Sequence, residues 1–246
     1  MVNPVKAMRT GLLLFALHLL LVQSAAADSA RYLPATAVDL TQLLPGPPAA
    51  GSALAQQDMD AVLHAQAART PESVAAAEAD AVVSVFRFAD VLGANFTGDR
   101  LPINAALFKA VAKDATTIGR RAKDDWHRPR PYRTNDSIKP LVDVSTDGSY
   151  PSGHAMFGCM TAVLLGVMVP EQRAALLARG QAYAHNRVVA GVHYPTDVEA
   201  GCTSGRIVAA VLLQAPGFQA DFVAARSETR RVLGLPAEPA KFSKPD

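Results

Sequence analysis

The chain has 246 residues, half of them hydrophobic and 19% charged. That is the balance of a soluble globular enzyme, and the length suits one large domain. The formal charge is +2, and removal of residues 1–27 would take Lys6 and Arg9 and no acid, leaving the remainder formally neutral. This excludes the net basic charge that draws proteins to nucleic acid or an anionic bilayer.

Residues 1–27 read as a secretory signal. Lys6 and Arg9 form a basic n-region, residues 11–22 a short apolar h-region, and Ala25-Ala26-Ala27 a cleavage site before Asp28. The h-region is short for an anchor, since a span needs roughly 20 apolar residues. The expectation is export to the periplasm, with no membrane span in the mature chain. No Cys follows the cleavage site, so no lipoprotein anchor is expected there.

Residues 28–52 are rich in Pro, Ala and Gly and predict an extended arm, with a short helical turn over 38–44. Helical spacing begins at Leu54 and predicts a helix over 54–68. Thr70-Pro71-Glu72 is a helix start, predicting a second helix over 70–92. A loop over 93–100 leads to a helix over 102–123, with Leu107, Val111, Ala115 and Ile118 on one face. Its exit delivers Lys123.

Pro129 and Pro131 end regular helix and stiffen the segment presenting Arg130. Residues 134–150 predict a polar, irregular loop where a substrate entrance would lie. Then comes Gly148-Ser149-Tyr150-Pro151-Ser152-Gly153-His154, followed by an apolar run over 155–169. Ser152 is a natural N-cap, and the free N–H groups of the first turn welcome an oxyanion. The run is too short to span a bilayer and fits a buried core helix. Pro170, Pro195 and Pro216 open three further helices, and residues 234–246 predict an extended tail. The expected fold is all-α, a single-domain helical bundle over residues 28–246.

Three stretches carry the chemistry. They supply Lys123 and Arg130, then Ser152, Gly153 and His154, then Arg187, His193 and Asp197. Three fixed cations, two histidines and a carboxylate are what phosphoryl transfer asks for: donors for the equatorial oxygens, a nucleophile, and an acid for the leaving oxygen.

The pattern Lys-x6-Arg-Pro, Pro-Ser-Gly-His, Arg-x5-His-x3-Asp resembles that of the type 2 phosphatidic acid phosphatase superfamily, shared with the vanadium haloperoxidases. The longer string Gly-Ser-Tyr-Pro-Ser-Gly-His is similar to the signature of the soluble class A bacterial non-specific acid phosphatases. One departure is Asn186, where the family usually has Ser before the third-block Arg. The roles follow from the residues, and the resemblance implies the same ones. His193 attacks phosphorus and forms a phosphohistidine, Asp197 orients it, and His154 is acid and then base. Lys123, Arg130, Arg187 and the Ser152–Gly153 backbone hold the phosphoryl oxygens. No metal or cofactor is expected. The substrates would be small phosphomonoesters, with no nucleic-acid partner and homo-oligomerisation left open.

Two other functions fit the same residues. A vanadate-dependent haloperoxidase would oxidise bromide with peroxide, and a non-catalytic phosphate-binding protein would not hydrolyse p-nitrophenyl phosphate. Cys159 and Cys202 each lie five residues past a site residue, which allows either a disulfide or two buried thiols. His64, His127 and His185 read as packing or surface residues, and Asn95 and Asn135 as chance glycosylation matches. Tyr132, Tyr150 and Tyr194 flank the motifs and would either line a pocket or pack.

Overall fold

The helix that begins at the Pro-Ser-Gly-His string runs through the middle of the molecule. The structure, a computed structural model, describes residues 30–237; the expected signal over 1–27 and most of the expected tail over 234–246 lie outside them. In chain order the helices are α1 (Leu40–Leu43), α2 (Ala53–Ala67), α3 (Pro71–Ala79), α4 (Ala89–Leu92) and α5 (Pro102–Trp126). Then follow α6 (Pro131–Thr134), α7 (Gly153–Met168), α8 (Arg173–Val189), α9 (Pro195–Leu212) and α10 (Pro216–Val232). The described residues contain no strand, and the fold is the predicted all-α one.

Apolar on nearly every side, α7 has to be enclosed, and it is buried from Ala155 to Met168 with few breaks. Ser152 caps it, its Oγ accepting from Ala155 N–H at 3.3 Å. Its main neighbours are α8 and α9. On α9 a Cβ at Gly201 would lie 2.4 Å from the Ser152 carbonyl oxygen, and one at Gly205 2.3 Å from that of Met156. The absence of side chains there lets the two backbones touch. Cys159 and Cys202 form a disulfide across the same interface, with Cα atoms 5.0 Å apart.

Residues 30–52 cross the outside of α5 and are tied to it by one carboxylate. Buried Asp114 accepts the backbone N–H groups of Arg31, Tyr32 and Leu33 at 2.8–3.1 Å. Leu33, Val38, Leu40 and Leu44 join the core.

The long helix expected over 70–92 is broken. After α3 the chain leaves helix at Asp80, and Ser84 caps a new 3₁₀ turn, Val85–Phe88, by accepting from Phe86 N–H at 3.2 Å. The physical cause is Asp80, whose carboxylate is drawn inward by Arg87, Arg179 and Asn186. Conversely, α5 extends a turn beyond Lys123 and ends at His127, which is exposed and adopts a left-handed conformation, φ 51°.

No single described helix is long and apolar enough to cross a membrane. Together α9 and α10 reach that length, but they meet at 97°.

Candidate active site

Four helix ends meet at one place. Lys123 comes from the last turn of α5, Arg187 from the last turn of α8, His154 from the first turn of α7 and Asp197 from the first turn of α9. Arg130 lies just before α6, and His193 in the short link between α8 and α9. Gly191 makes that link tight: its φ is +72°, and a Cβ there would come within 3.0 Å of Ile138 Cγ2.

A cavity of about 500 Å³ opens where these helix ends meet. Lys123, Arg130, Arg187, Gly153, His154 and His193 line its polar side. Val83, Ala112, Ala115, Met156 and Phe157 give the lining its apolar part. Ser152 is fully buried and its N–H donates to the Asp197 carbonyl at 3.0 Å, so Gly153 is the part of that pair that faces the cavity.

The surroundings of His193 fix its tautomer. Its Nε2 accepts from Arg130 Nη1 at 3.1 Å. A guanidinium only donates, so this nitrogen carries no proton. The proton is then on Nδ1, which faces Asp197 Oδ2 and Ser149 Oγ, each at 3.4 Å. Burial, followed by the charges of Arg130, Lys123 and Arg187, holds the His193 pKa well below the usual histidine range. The ring is therefore a neutral base with its lone pair toward the cations.

Asp197 is wholly buried and well supplied with donors. Oδ1 accepts from Arg128 Nη1 at 2.6 Å, and Oδ2 from Tyr194 N–H at 2.9 Å and from Ser149 Oγ. Burial raises its pKa against the pull of those donors. Arg128 in turn gives Nη2 to buried Asp58 at 2.7 Å and stacks over the Tyr194 ring at 4.1 Å. Asp58, Arg128, Asp197 and His193 thus form one buried chain.

For His154 the tautomer is the opposite one. Its Nε2 lies 3.0 Å from the Ala81 carbonyl oxygen, which only accepts, so Nε2 is protonated and Nδ1 is the free nitrogen. Burial, then Arg187, Arg130 and Lys123, lower its pKa to about 4, against the Ala81 hydrogen bond.

The cations differ in how they are occupied. Arg130 gives Nη2 to Asp147 Oδ1 at 2.6 Å, and Lys123 Nζ lies 3.3 Å from Asp147 Oδ2 while also donating to the Gly148 carbonyl. Arg187 is buried with Nε and Nη1 unpartnered among the described residues, and burial pushes its pKa down to about 10.

All three sequence blocks therefore meet at one cavity. The sequence reading missed Asp58, Asp80, Arg128, Asp147 and Ser149. Arg128 and Ser149 sit inside the blocks and carried a positional signal; Asp58 and Asp80 carried none, since their partners lie on other segments of the chain. Asn186 gives its amide to Asp80 at 2.8 Å. Tyr132, Tyr150 and Tyr194 pack outside the cavity, with Tyr150 against Trp126. His127 is also outside it. Among the described residues no three His, Cys, Asp or Glu side chains gather as a metal set.

The PAP2 superfamily profile matches residues 103–220. An acid phosphatase of Zymomonas mobilis is 34% identical over 196 residues, 75% of this chain and 73% of that protein. A non-specific acid phosphatase of Salmonella typhimurium is 30% identical over 237 residues, 90% of this chain and 93% of the relative. In fold the chain is similar to a bacterial vanadium-dependent iodoperoxidase, with a TM-score of 0.50 at 17% identity, over 72% of this chain and 53% of that one.

Proposed function

Because this chain belongs to the PAP2 superfamily and is an acid phosphatase, we propose that it is an exported, metal-independent enzyme that cleaves phosphomonoesters through a phosphohistidine on His193. The observation that carries the reading is the pair of opposed tautomers. A nucleophile needs a bare nitrogen facing phosphorus, and His193 offers Nε2 among three cations. An acid–base group needs a nitrogen free to exchange a proton at the cavity, and His154 offers Nδ1.

In the first step the His193 Nε2 lone pair forms a bond to phosphorus as the phosphorus–oxygen bond breaks. His154, protonated on both nitrogens, gives its Nδ1 proton to the departing oxygen. Lys123, Arg130 and Arg187 hold the three equatorial oxygens, supplying the positive charge that a metal supplies elsewhere. In the second step water attacks phosphorus, His154 Nδ1 takes its proton, and the bonding pair returns to His193 Nε2. Asp197 stabilises the positive ring throughout, as in other Asp–His pairs.

Export is supported by the basic and apolar regions of residues 1–27 and by the Cys159–Cys202 disulfide, which persists in an oxidising compartment.

Rapid alkaline quenching during turnover tests the mechanism. His154→Ala should accumulate a phosphoenzyme and still release a burst of nitrophenol, whereas His193→Ala should do neither. A burst from His193→Ala overturns the assignment. Full activity should persist in EDTA, and loss restored by zinc or magnesium would overturn metal independence. The exported protein should begin at Asp28; an intact N-terminus would refute cleavage there.

A further inference from the structure

His154 takes its orientation from a carbonyl that an unbroken helix could not offer. Had α3 continued, the Ala81 oxygen would accept from the N–H four residues on. The chain instead turns at Asp80, and the Ala81 oxygen is left to His154 Nε2 at 3.0 Å.

What holds the turn is Asp80. Its side chain is 1% exposed and lies outside the cavity. Oδ1 accepts from Arg87 Nε at 2.9 Å and Arg179 Nη2 at 2.7 Å. Oδ2 accepts from Arg179 Nη1 at 3.0 Å and Asn186 Nδ2 at 2.8 Å. The same turn is pinned at its next residue, where Tyr183 Oη donates to the Val82 carbonyl at 3.1 Å. Four donors on one carboxylate fix the backbone on either side of it.

We propose that Asp80 is a positioning residue for the acid–base histidine: by locking the turn it holds the Ala81 carbonyl on His154 Nε2 and thereby reserves Nδ1 for the leaving oxygen and the attacking water. The proposal rests on the reading of His154 as acid and base. It gives the Ala81 carbonyl the part that Asp197 plays for His193, but with the ring reversed. Without that acceptor the neutral ring is free to place its proton on Nδ1, and a ring so protonated cannot accept from water there.

The groups around His154 are Arg187, Arg130, Lys123 and His193, and Asp147 lines the same cavity. Asp80→Asn deletes none of them but removes a charge that acts on Arg187, so the His154 tautomer and the split between substrates, rather than the overall rate, report on the turn.

The test is Asp80→Asn in the full mature chain. Histidine ¹⁵N shifts should show wild-type His154 as the Nε2–H tautomer and the variant as a mixture. In single turnovers the first step with a sugar phosphate should fall about 10–100-fold, a part of the roughly 10²–10⁴-fold that general acid catalysis supplies, and with p-nitrophenyl phosphate less than about 3-fold. On a His154→Ala background, Asp80→Asn should add no further selective loss. Equal losses on both substrates, or an unchanged tautomer, overturn the proposal. If His154→Ala alone shows no difference between substrates, the acid–base reading itself fails; if it does and Asp80→Asn does not, only the role of Asp80 fails. Should Asp80→Asn not fold, Arg87→Ala and Asn186→Ala each remove one donor and should show the same split in smaller measure; no split in either overturns the proposal.

Discussion

Arg130 divides its guanidinium between His193 and a resident anion. Nη1 faces His193 and Nη2 faces Asp147, and Asp147 also reaches Lys123. Asp147 is about half exposed; despite the cost of its partial burial, Ser145, Lys123 and Arg130 hold its pKa far below the carboxylate range. Acidification within the working range therefore does not neutralise it, and an incoming phosphoryl group must share two of its three cations. Asp147→Asn should tighten inhibition by vanadate and phosphate about 3–10-fold at pH 5, the scale of one solvent-weakened charged hydrogen bond. Inhibition constants decide this, and weaker binding would mean that Asp147 organises the cations instead. His154 carries a second residue-scale prediction. Its pKa is near 4 without ligand, lowered by burial and then by the cations. A bound phosphoryl dianion offsets those cations and raises it. The basic limb of kcat, which reports the complex, should thus lie at higher pH than that of kcat/KM. Coincident limbs would count against His154 as the acid.

At the scale of elements, the site depends on how closely α7 and α9 approach. Gly201 and Gly205 face the α7 backbone, so Gly205→Ala drives a methyl group into the Met156 carbonyl. A loss of about 1–3 kcal/mol is expected from such overpacking, measurable by urea unfolding. The Cys159–Cys202 disulfide lies on the same interface and joins residues 43 apart in sequence. Its removal in a Cys159→Ala, Cys202→Ala protein should cost about 2–4 kcal/mol. A double variant as stable as the parent would show that the glycine contacts alone hold the helices.

For the molecule as a whole, stability should depend on pH in a direction set by the site. An unfolded histidine titrates near ~6.5, whereas folded His154 titrates near 4 and His193 below the ordinary range. Between those values the unfolded chain binds more protons, so stability is present above about 6.5 and falls as pH drops through the window toward 4. Asp80 and Asp147, with lowered pKa values, add their own loss at lower pH, whereas Asp197, with a raised one, acts in the opposite direction. Melting temperatures at pH 7.5 and 5 should therefore differ, with the His154→Gln protein showing the smaller difference. An equal difference in both proteins would contradict the lowered His154 pKa.

The sequence by itself determined the parts whose reason is local. Ser152 caps a helix because its hydroxyl reaches an N–H three residues on. The apolar run after it must be buried, and the block spacings place the cations, histidines and Asp197 at helix ends, where a few residues of chain suffice to aim them. The tertiary structure alone decided the rest. Whether Cys159 and Cys202 meet depends on how near two helices pass, which glycine contacts set. Why the predicted 70–92 helix breaks depends on Arg179 and Asn186, 99 and 106 residues from Asp80. Which nitrogen of each histidine carries the proton depends on a guanidinium facing one ring and a carbonyl facing the other. Spacing along the chain records where a side chain starts; donors and acceptors brought from distant segments decide its protonation, and with it the chemistry it performs.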